Sequence, residues 1–285
     1  MNNSSSSALS SIRAHYMALS QSEKIIADYV TENSDDMVNM SMMELANNVG
    51  LSDATVLRFV RSVGFKGYSD FKIALAADLR RPTEVIFEEL DAQDDAATIA
   101  AKVLRSEMQL LQDTLEHLDM DALKKAIDLI CSAKRVFLFG SGTSAGLADS
   151  FYTRLIRLNY NVVMNTDAHL QIMQSNLMGK GDLIIIVSRS GTADNLIRSE
   201  RLAIKNGADV ICITCNAKSP VGSGATVTLA GVAREFQRDI SGSPISMLGI
   251  IDVLFTNLQM LDLEKTANYE RKIWAALRST RNSIK

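Results

Sequence analysis

From about Asp121 onward the chain alternates short apolar runs with amphipathic stretches, and this alternation constrains the fold more than any other feature. The runs are "RVFLF", "NVVMN", "LIIIVS", "VICIT" and "TVTLA". Helical patterns lie between them near 145–158, 168–178 and 194–206, with another near 244–261. Strands that are apolar throughout need cover on both faces, so this order predicts a parallel sheet with helices on each side. Five strands at this spacing predict an α/β, doubly wound sheet of flavodoxin-like or Rossmann-like form. Ligands of such sheets bind beyond the carboxyl ends of the strands.

The preceding residues follow a helical period instead. "SQSEKIIADYVTEN" opens on Ser20 or Ser22 as a cap and sets Ile25, Ile26, Tyr29 and Val30 at helical spacing. Three further short helices are predicted up to Leu79, and a long amphipathic helix over about 96–118 follows the irregular, acidic "RRPTEVIFEELDAQDD". The 285 residues therefore divide into an all-α domain over 1–80, a linker and long helix over 81–120, and the α/β domain over 121–285. The opening "MNNSSSSALSS" is polar and of low complexity, which predicts a disordered tail over residues 1–11.

Composition removes several classes of function. A hydrophobic share of 47% with 22% charged residues is that of an ordinary globular chain. No apolar run approaches the ~20 residues needed to span a bilayer. The N-terminus lacks a basic segment followed by an apolar one, so it does not read as a secretory signal. Cys212 and Cys215 form a C-x-x-C only by count, at the end of the strand "ICITC", and with Cys131 supply neither a disulfide framework nor a metal set. A reducing, cytoplasmic setting is expected, with no metal and no cofactor. The net charge of −3 excludes a wholly basic nucleic-acid binder but leaves room for a small module with local positive charge.

Such a module is predicted in "SMMELANNVGLSDATVLRFVRSVGF", residues 41–65. Met43, Leu45, Ala46 and Val49 are expected on the buried side of a short helix that Gly50 ends. Ser52 caps the next helix, on which Val56, Phe59, Val60 and Val63 fall at i, i+3, i+4 and i+7 and face the core. Thr55, Arg58 and Arg61 are left on the outer face. Across 54–72 the bases Arg58, Arg61, Lys66 and Lys72 meet one acid, Asp70. A short helix, a glycine turn and a second helix with a basic face form a helix-turn-helix. Thr55 and Arg58 are the candidates for base edges. Arg61, Lys66 and the backbone of 67–69 are the candidates for phosphates, and Ser52 and Tyr68 are further candidates for DNA contact.

The second constellation is "FGSGTSAG" after the first strand and "IIIVSRSGTADN" after the third. Gly140 and Gly142 let backbone approach a ligand; Ser141, Thr143 and Ser144 add hydroxyls ahead of a helix N-terminus. The first loop nearly matches G-x-G-x-x-G, so a dinucleotide site is a rival. Ser188, Ser190 and Thr192 around Gly191 form a second hydroxyl loop, which suits one phosphate on a small polyol better than a pyrophosphate.

"RVFLFGSGTSAG" with "IIIVSRSGT" resembles the SIS (sugar isomerase) phosphosugar-binding fold. Joined to "MSMMELANNVGLSDATVLRFVRSVGFKGYSDFKIAL" it resembles the RpiR/MurR family of bacterial transcription regulators from about Ser20 to the end. The resemblance implies a DNA-binding domain that reads an operator as a dimer and a SIS domain that senses a sugar phosphate. It also implies that the two hydroxyl loops hold the phosphate, that Asp167 and His169 of "DAHLQ" lie near the sugar, and that Glu235 falls where sugar-isomerase relatives carry an acid. Two departures stand out: Thr192 comes one residue early with Ala193 in the usual threonine place, and "GSPISML" has Pro244 where a Ser-Arg pair is common. The rival function is a sugar-phosphate isomerase or lyase with Glu235 or His169 as acid/base. The expectation here is a regulator of a sugar or amino-sugar operon with no catalytic residues, at least a dimer, coupled through the long helix and the last helix.

Overall fold

The computed structural model describes residues 7–37, 40–78, 93–233 and 243–282. Two compact units divide the chain: residues 1–117 with 232–245, and residues 118–231 with 246–285. Among the described residues no single helix is long and apolar enough to cross a membrane.

The second unit is the expected doubly wound sheet. Its strands are β1 (Arg135–Gly140), β2 (Val162–Asn165), β3 (Asp182–Val187), β4 (Asp209–Thr214) and β5 (Val227–Ala230). They run parallel in the order β2-β1-β3-β4-β5. Every residue of β3 is buried, as a central strand covered on both faces requires. The chain leaves β1 toward β2 on one side and β3 toward β4 on the other. The carboxyl ends of β1 and β3 are therefore the switch point at which such sheets bind ligands. At the opposite end Arg135 forks onto Asp182 at 2.6 and 2.8 Å and holds the starts of both strands in register. The bonds from Arg135 hold the Asp182 carboxyl below its usual range against the opposing effect of burial.

The four helices expected near 145–158, 168–178, 194–206 and 244–261 begin and end within two residues of that expectation. The helices of this unit are numbered in chain order: α8 (Met120–Ser132), α9 (Ser144–Arg157), α10 (Ala168–Asn176), α11 (Asp194–Lys205), the short α12 (Pro220–Gly224), α13 (Ile245–Met260) and α14 (Leu263–Asn282). α8 and α12 have no counterpart in the sequence expectation. α14 is docked on α9 by Arg157, which forks onto Glu270 at 2.6 and 2.8 Å.

The first unit contains α1 (Ala8–His15), a 3-10 turn (Tyr16–Ala18), α2 (Gln21–Glu32), α3 (Ser34–Met37), α4 (Met42–Val49), α5 (Asp53–Ser62), α6 (Tyr68–Asp78) and α7 (Ala96–His117). α1 corrects the expectation of a disordered tail for residues 7–11; residues 1–6 of that stretch lie outside the described residues. Ser7 caps it by accepting from the Ser10 N–H, and Ala8, Ser10, Ser11 and Ile12 are buried. These small side chains permit close packing against α7, where Arg13 pairs with the buried Asp113 and Ser10 donates to Glu116. On α2, Ser20 is the cap, in a capping box with Glu23, while Ile26 and Val30 are buried and Ile25 is exposed. On α4 the apolar face is one residue out of the expected register. Leu45 and Ala46 are buried with Met42 and Val49 against them, and Met43 points outward at 61% exposure. The i, i+3, i+4, i+7 face starts from Met42, a choice that two adjacent methionines leave open.

Candidate functional site

Two loops meet at the switch point. The register pairs Gly140 with Val187, so residues 141–144 and 188–192 leave adjacent strands at one level. Gly140 lets the α9 backbone approach closely: a Cβ there would stand 3.0 Å from both Ala145 Cα and Ser144 O, a tight contact that the backbone would have to yield to. The α9 N-terminus has no side-chain cap bond and no acid in its first turn, so its positive end is left for an anion.

The hydroxyls around this point have a common polarity. Ser144 Oγ accepts from the Arg189 N–H at 3.4 Å, which ties the loops together. Ser188 Oγ accepts from the Gly191 N–H at 3.2 Å. Ser141 Oγ accepts from Asn195 Nδ2 at 3.0 Å. In each case a protein donor uses an oxygen lone pair, and the hydroxyl hydrogen is available to an incoming acceptor. Ser190 and Thr192 share one hydrogen bond of 2.8 Å and are exposed, so one further hydroxyl hydrogen remains between them. Gly142 is exposed with φ 57°, Thr143 is exposed, and Gly191 is buried with φ 64°. A group that receives several O–H donors beside a helix N-terminus carries negative charge.

The remaining expected residues contribute unequally. Asp167 caps α10 by accepting from the Leu170 N–H at 2.9 Å, so one carboxylate oxygen is engaged locally. His169 is exposed in the first turn of the same helix. Glu235 lies outside the described residues. Two residues not anticipated from the sequence are Gln171 and Asn195. Gln171 is fully buried and donates from Nε2 to Gly140 O at 3.1 Å and Asn165 O at 2.8 Å. The buried side of α10 carries Gln171 and Ser175 while Leu170, Met173 and Leu177 are exposed, so no apolar pattern in the sequence marked it. Asn195 bridges Gln171 Oε1 (2.6 Å) and Ser141. Cys212 and Cys215 are buried behind the loops, and burial pushes both thiols up. They pack the sheet.

In the first unit, α4, Gly50 at φ 68° and α5 form the helix-turn-helix. Val56, Phe59, Val60 and Val63 are buried as expected. Ser52 caps α5 by accepting from the Thr55 N–H, and its Oγ lies 3.0 Å from Thr55 Oγ1. Arg58, Arg61 and Lys66 are exposed. Glu23, on α2, anchors α5 from behind: Ser62 donates to it at 2.7 Å and Arg58 Nε lies 3.6 Å away. Burial would raise the Glu23 pKa, but bonds from Ser20 and Ser62 outweigh it and lower the pKa, with Arg58 adding to the effect. Tyr68 has a partner within its own unit. Its half-buried hydroxyl donates to Met40 O at 3.0 Å, and burial, with Glu44 nearby, pushes its pKa to about 12. Lys72 is also turned inward, to the same carbonyl at 2.9 Å.

Comparison with known proteins agrees with both constellations. Residues 6–82 match the helix-turn-helix domain of the rpiR family, and residues 129–248 match the SIS domain. HexR, an HTH-type transcriptional regulator of Escherichia coli K12, is 30% identical over 96% of this chain and 95% of its own. An uncharacterized HTH-type transcriptional regulator of Haemophilus influenzae is 29% identical over 94% and 95%. The structure of Vibrio vulnificus NanR complexed with ManNAc-6P superposes with a TM-score of 0.60 at 28% identity, covering 95% of this chain and 98% of that one. The chain belongs to the rpiR family of helix-turn-helix transcription regulators, and its parallel-sheet unit is a SIS domain.

Proposed function

We propose that this regulator controls a sugar or amino-sugar catabolic operon from the cytoplasm, and that a sugar phosphate held by loops 141–144 and 188–192 sets its affinity for the operator. The observation that carries the reading is the set of hydroxyls whose oxygens are engaged by protein donors, gathered at the α9 N-terminus. The NanR complex supports it, because a relative of this length and architecture holds a phosphorylated amino sugar. Asp167 and His169 lie at the start of α10, whose Gln171 reaches Gly140 O, and are assigned to the sugar hydroxyls; Glu235 is assigned to the same ligand. The relatives are named as regulators, and His169 is exposed rather than set in the buried surroundings that tune a proton-transfer base.

Thr55 and Arg58 are assigned to base edges, and Arg61, Lys66 and the 67–69 backbone to phosphates, with Ser52 shaping the start of α5. The test has two arms. A thermal-shift panel of phosphorylated hexoses and amino sugars should move the melting temperature with at least one member. A DNA fragment flanking the gene should be retarded in a gel, with retardation changed by that sugar. Arg58→Ala should weaken specific binding about 10- to 100-fold. Lys66→Ala should weaken all sequences alike and lower the salt slope by about one. A chain that converts aldose to ketose phosphates and retards no DNA would sink the proposal.

Operators read by such helices are two-fold symmetric, so a second copy is required. α7 offers the seam: Leu104, Met108, Leu111 and Leu115 are exposed at 4-3-4 spacing, the a/d pattern of paired helices. α14 also exposes Leu263, Trp274 and Leu277. Effector binding would bias the relative placement of the two protomers and so of the two α5 helices. Leu104→Glu with Leu115→Glu should sediment as a monomer and lose operator binding while still shifting its melting temperature with sugar phosphate. Sedimentation as a dimer would place the seam elsewhere.

A further inference from the structure

We propose that Asn195 is a positioning residue of the effector site, the last link of a relay that makes Ser141 a hydrogen-bond donor to the bound anion. The inference rests on the sugar-phosphate reading of the two loops.

The relay starts from groups whose polarity cannot change. Gly140 O and Asn165 O are backbone carbonyls and can only accept. Both lie within hydrogen-bond reach of one atom of the fully buried Gln171, at 3.1 and 2.8 Å, so that atom is the amide nitrogen and both its hydrogens are used. Gln171 Oε1 is then an acceptor, and the Asn195 atom 2.6 Å from it has to be the NH2 group. The second hydrogen of that NH2 reaches Ser141 Oγ at 3.0 Å. Because an amide NH2 cannot accept, Ser141 cannot turn its own hydrogen toward Asn195. Its O–H is left for the ligand.

Ser144 and Ser188 are set in the same sense by backbone N–H groups, which no side-chain substitution removes. Ser141 alone among the three depends on a side chain for its polarity. Asn195 also stands in the first turn of α11, so one residue couples the strand-β1 loop to the helix that follows the strand-β3 loop.

Asn195→Asp inverts the last link. A carboxylate accepts the Ser141 hydrogen, removes that donor from the ligand and opposes Gln171 Oε1. Asn195→Ala only frees the hydroxyl to rotate. The full chain is titrated with ManNAc-6P, glucose 6-phosphate and inorganic phosphate, and melting temperatures without ligand are compared. Asn195→Asp is expected to lose about 10- to 100-fold in affinity for whichever probe the wild type binds, and Asn195→Ala only several-fold. In a Ser141→Ala background, Asn195→Ala should be neutral and Asn195→Asp should keep only its charge repulsion, which salt screens. Were Asn195→Asp not to fold, the Asn195→Ala and Ser141→Ala cycle decides alone. Equal losses from Asn195→Ala with and without Ser141 overturn the relay, as does wild-type affinity in Asn195→Asp. A wild type that binds none of the three probes and no member of the phosphosugar panel overturns the sugar-phosphate reading, and the relay with it.

Discussion

Gly191→Ala is expected to abolish the response to sugar phosphate and to lower the stability of the SIS domain by about 2–4 kcal/mol. Two independent costs add at this position. The backbone sits at φ 64°, a left-handed conformation in which a Cβ costs about 1–2 kcal/mol. A Cβ would also stand 1.9 Å from Ser219 Oγ and 2.6 Å from Ser219 Cβ, inside any tolerable contact. Ser219 has little room to yield, since it is buried and its hydroxyl caps α12 by accepting from the Gly222 N–H at 3.0 Å. Gly191 itself is held from both sides: its N–H donates to Ser188 Oγ at 3.2 Å and its carbonyl accepts from the Val221 N–H at 3.2 Å. Moving the loop outward therefore withdraws Ser188 from the cradle. Melting curves with and without ligand give the measurement. Adding Ser219→Gly should remove the overlap but not the backbone cost, so recovery should be partial. Wild-type melting and affinity in Gly191→Ala would show that the loop is not confined in this way.

The parts of this molecule legible in its sequence are those set by short-range pattern. Five apolar runs separated by helical periods admit one kind of sheet, and the glycine and hydroxyl residues after "RVFLF" and "LIIIV" mark its ligand edge. The α5 core face was legible because Val56, Phe59, Val60 and Val63 satisfy a helix period with no competitor. On α4 two adjacent methionines compete for the core face, and only tertiary packing decides for Met42. What could not be seen depends on long-range partners. Ser10 and Ser11 resemble a solvated tail until α7 lies against them, and the bond from Tyr68 to Met40 O joins residues 28 positions apart. Gln171 and Asn195 are ordinary polar residues in the sequence. Their role appears only when the carbonyls of Gly140 and Asn165 are brought to one amide.

Glu200 is the second residue whose effect is expected to be large, and its signature is pH dependence. It lies on α11 at 1% exposure, with Oε1 buried and unpartnered and Ser199 Oγ equally so beside it. A Cβ on Gly224, at the end of α12, would meet this carboxyl at 2.2 Å, so α12 closes directly over it. Cys212 on β4 is its titratable neighbour, and Arg201 is the only charge pulling the other way among the causes acting on it. Burial raises the Glu200 pKa from 4.5 to about 7, with Arg201 opposing. The sign follows from the raised value. Below about pH 4.5 the carboxyl is protonated in both folded and unfolded chains and costs nothing. As pH rises toward 7 the unfolded chain releases its proton while the folded chain keeps it, so stability falls, and above about 7 the loss is complete. A shift of this size corresponds to about 3 kcal/mol. Glu200→Gln, which cannot ionise, should match the wild type near pH 4.5 and exceed its stability at pH 8 by an amount of that order. α12 also carries Ser219 and Val221 against Gly191, so relieving the charge at one end should steady the effector loop at the other and narrow the difference in ligand affinity between pH 6 and pH 8. Denaturant titrations of both proteins at the two pH values test the first expectation, and parallel curves with no pH-dependent gap would mean that the folded chain lets this carboxylate ionise freely.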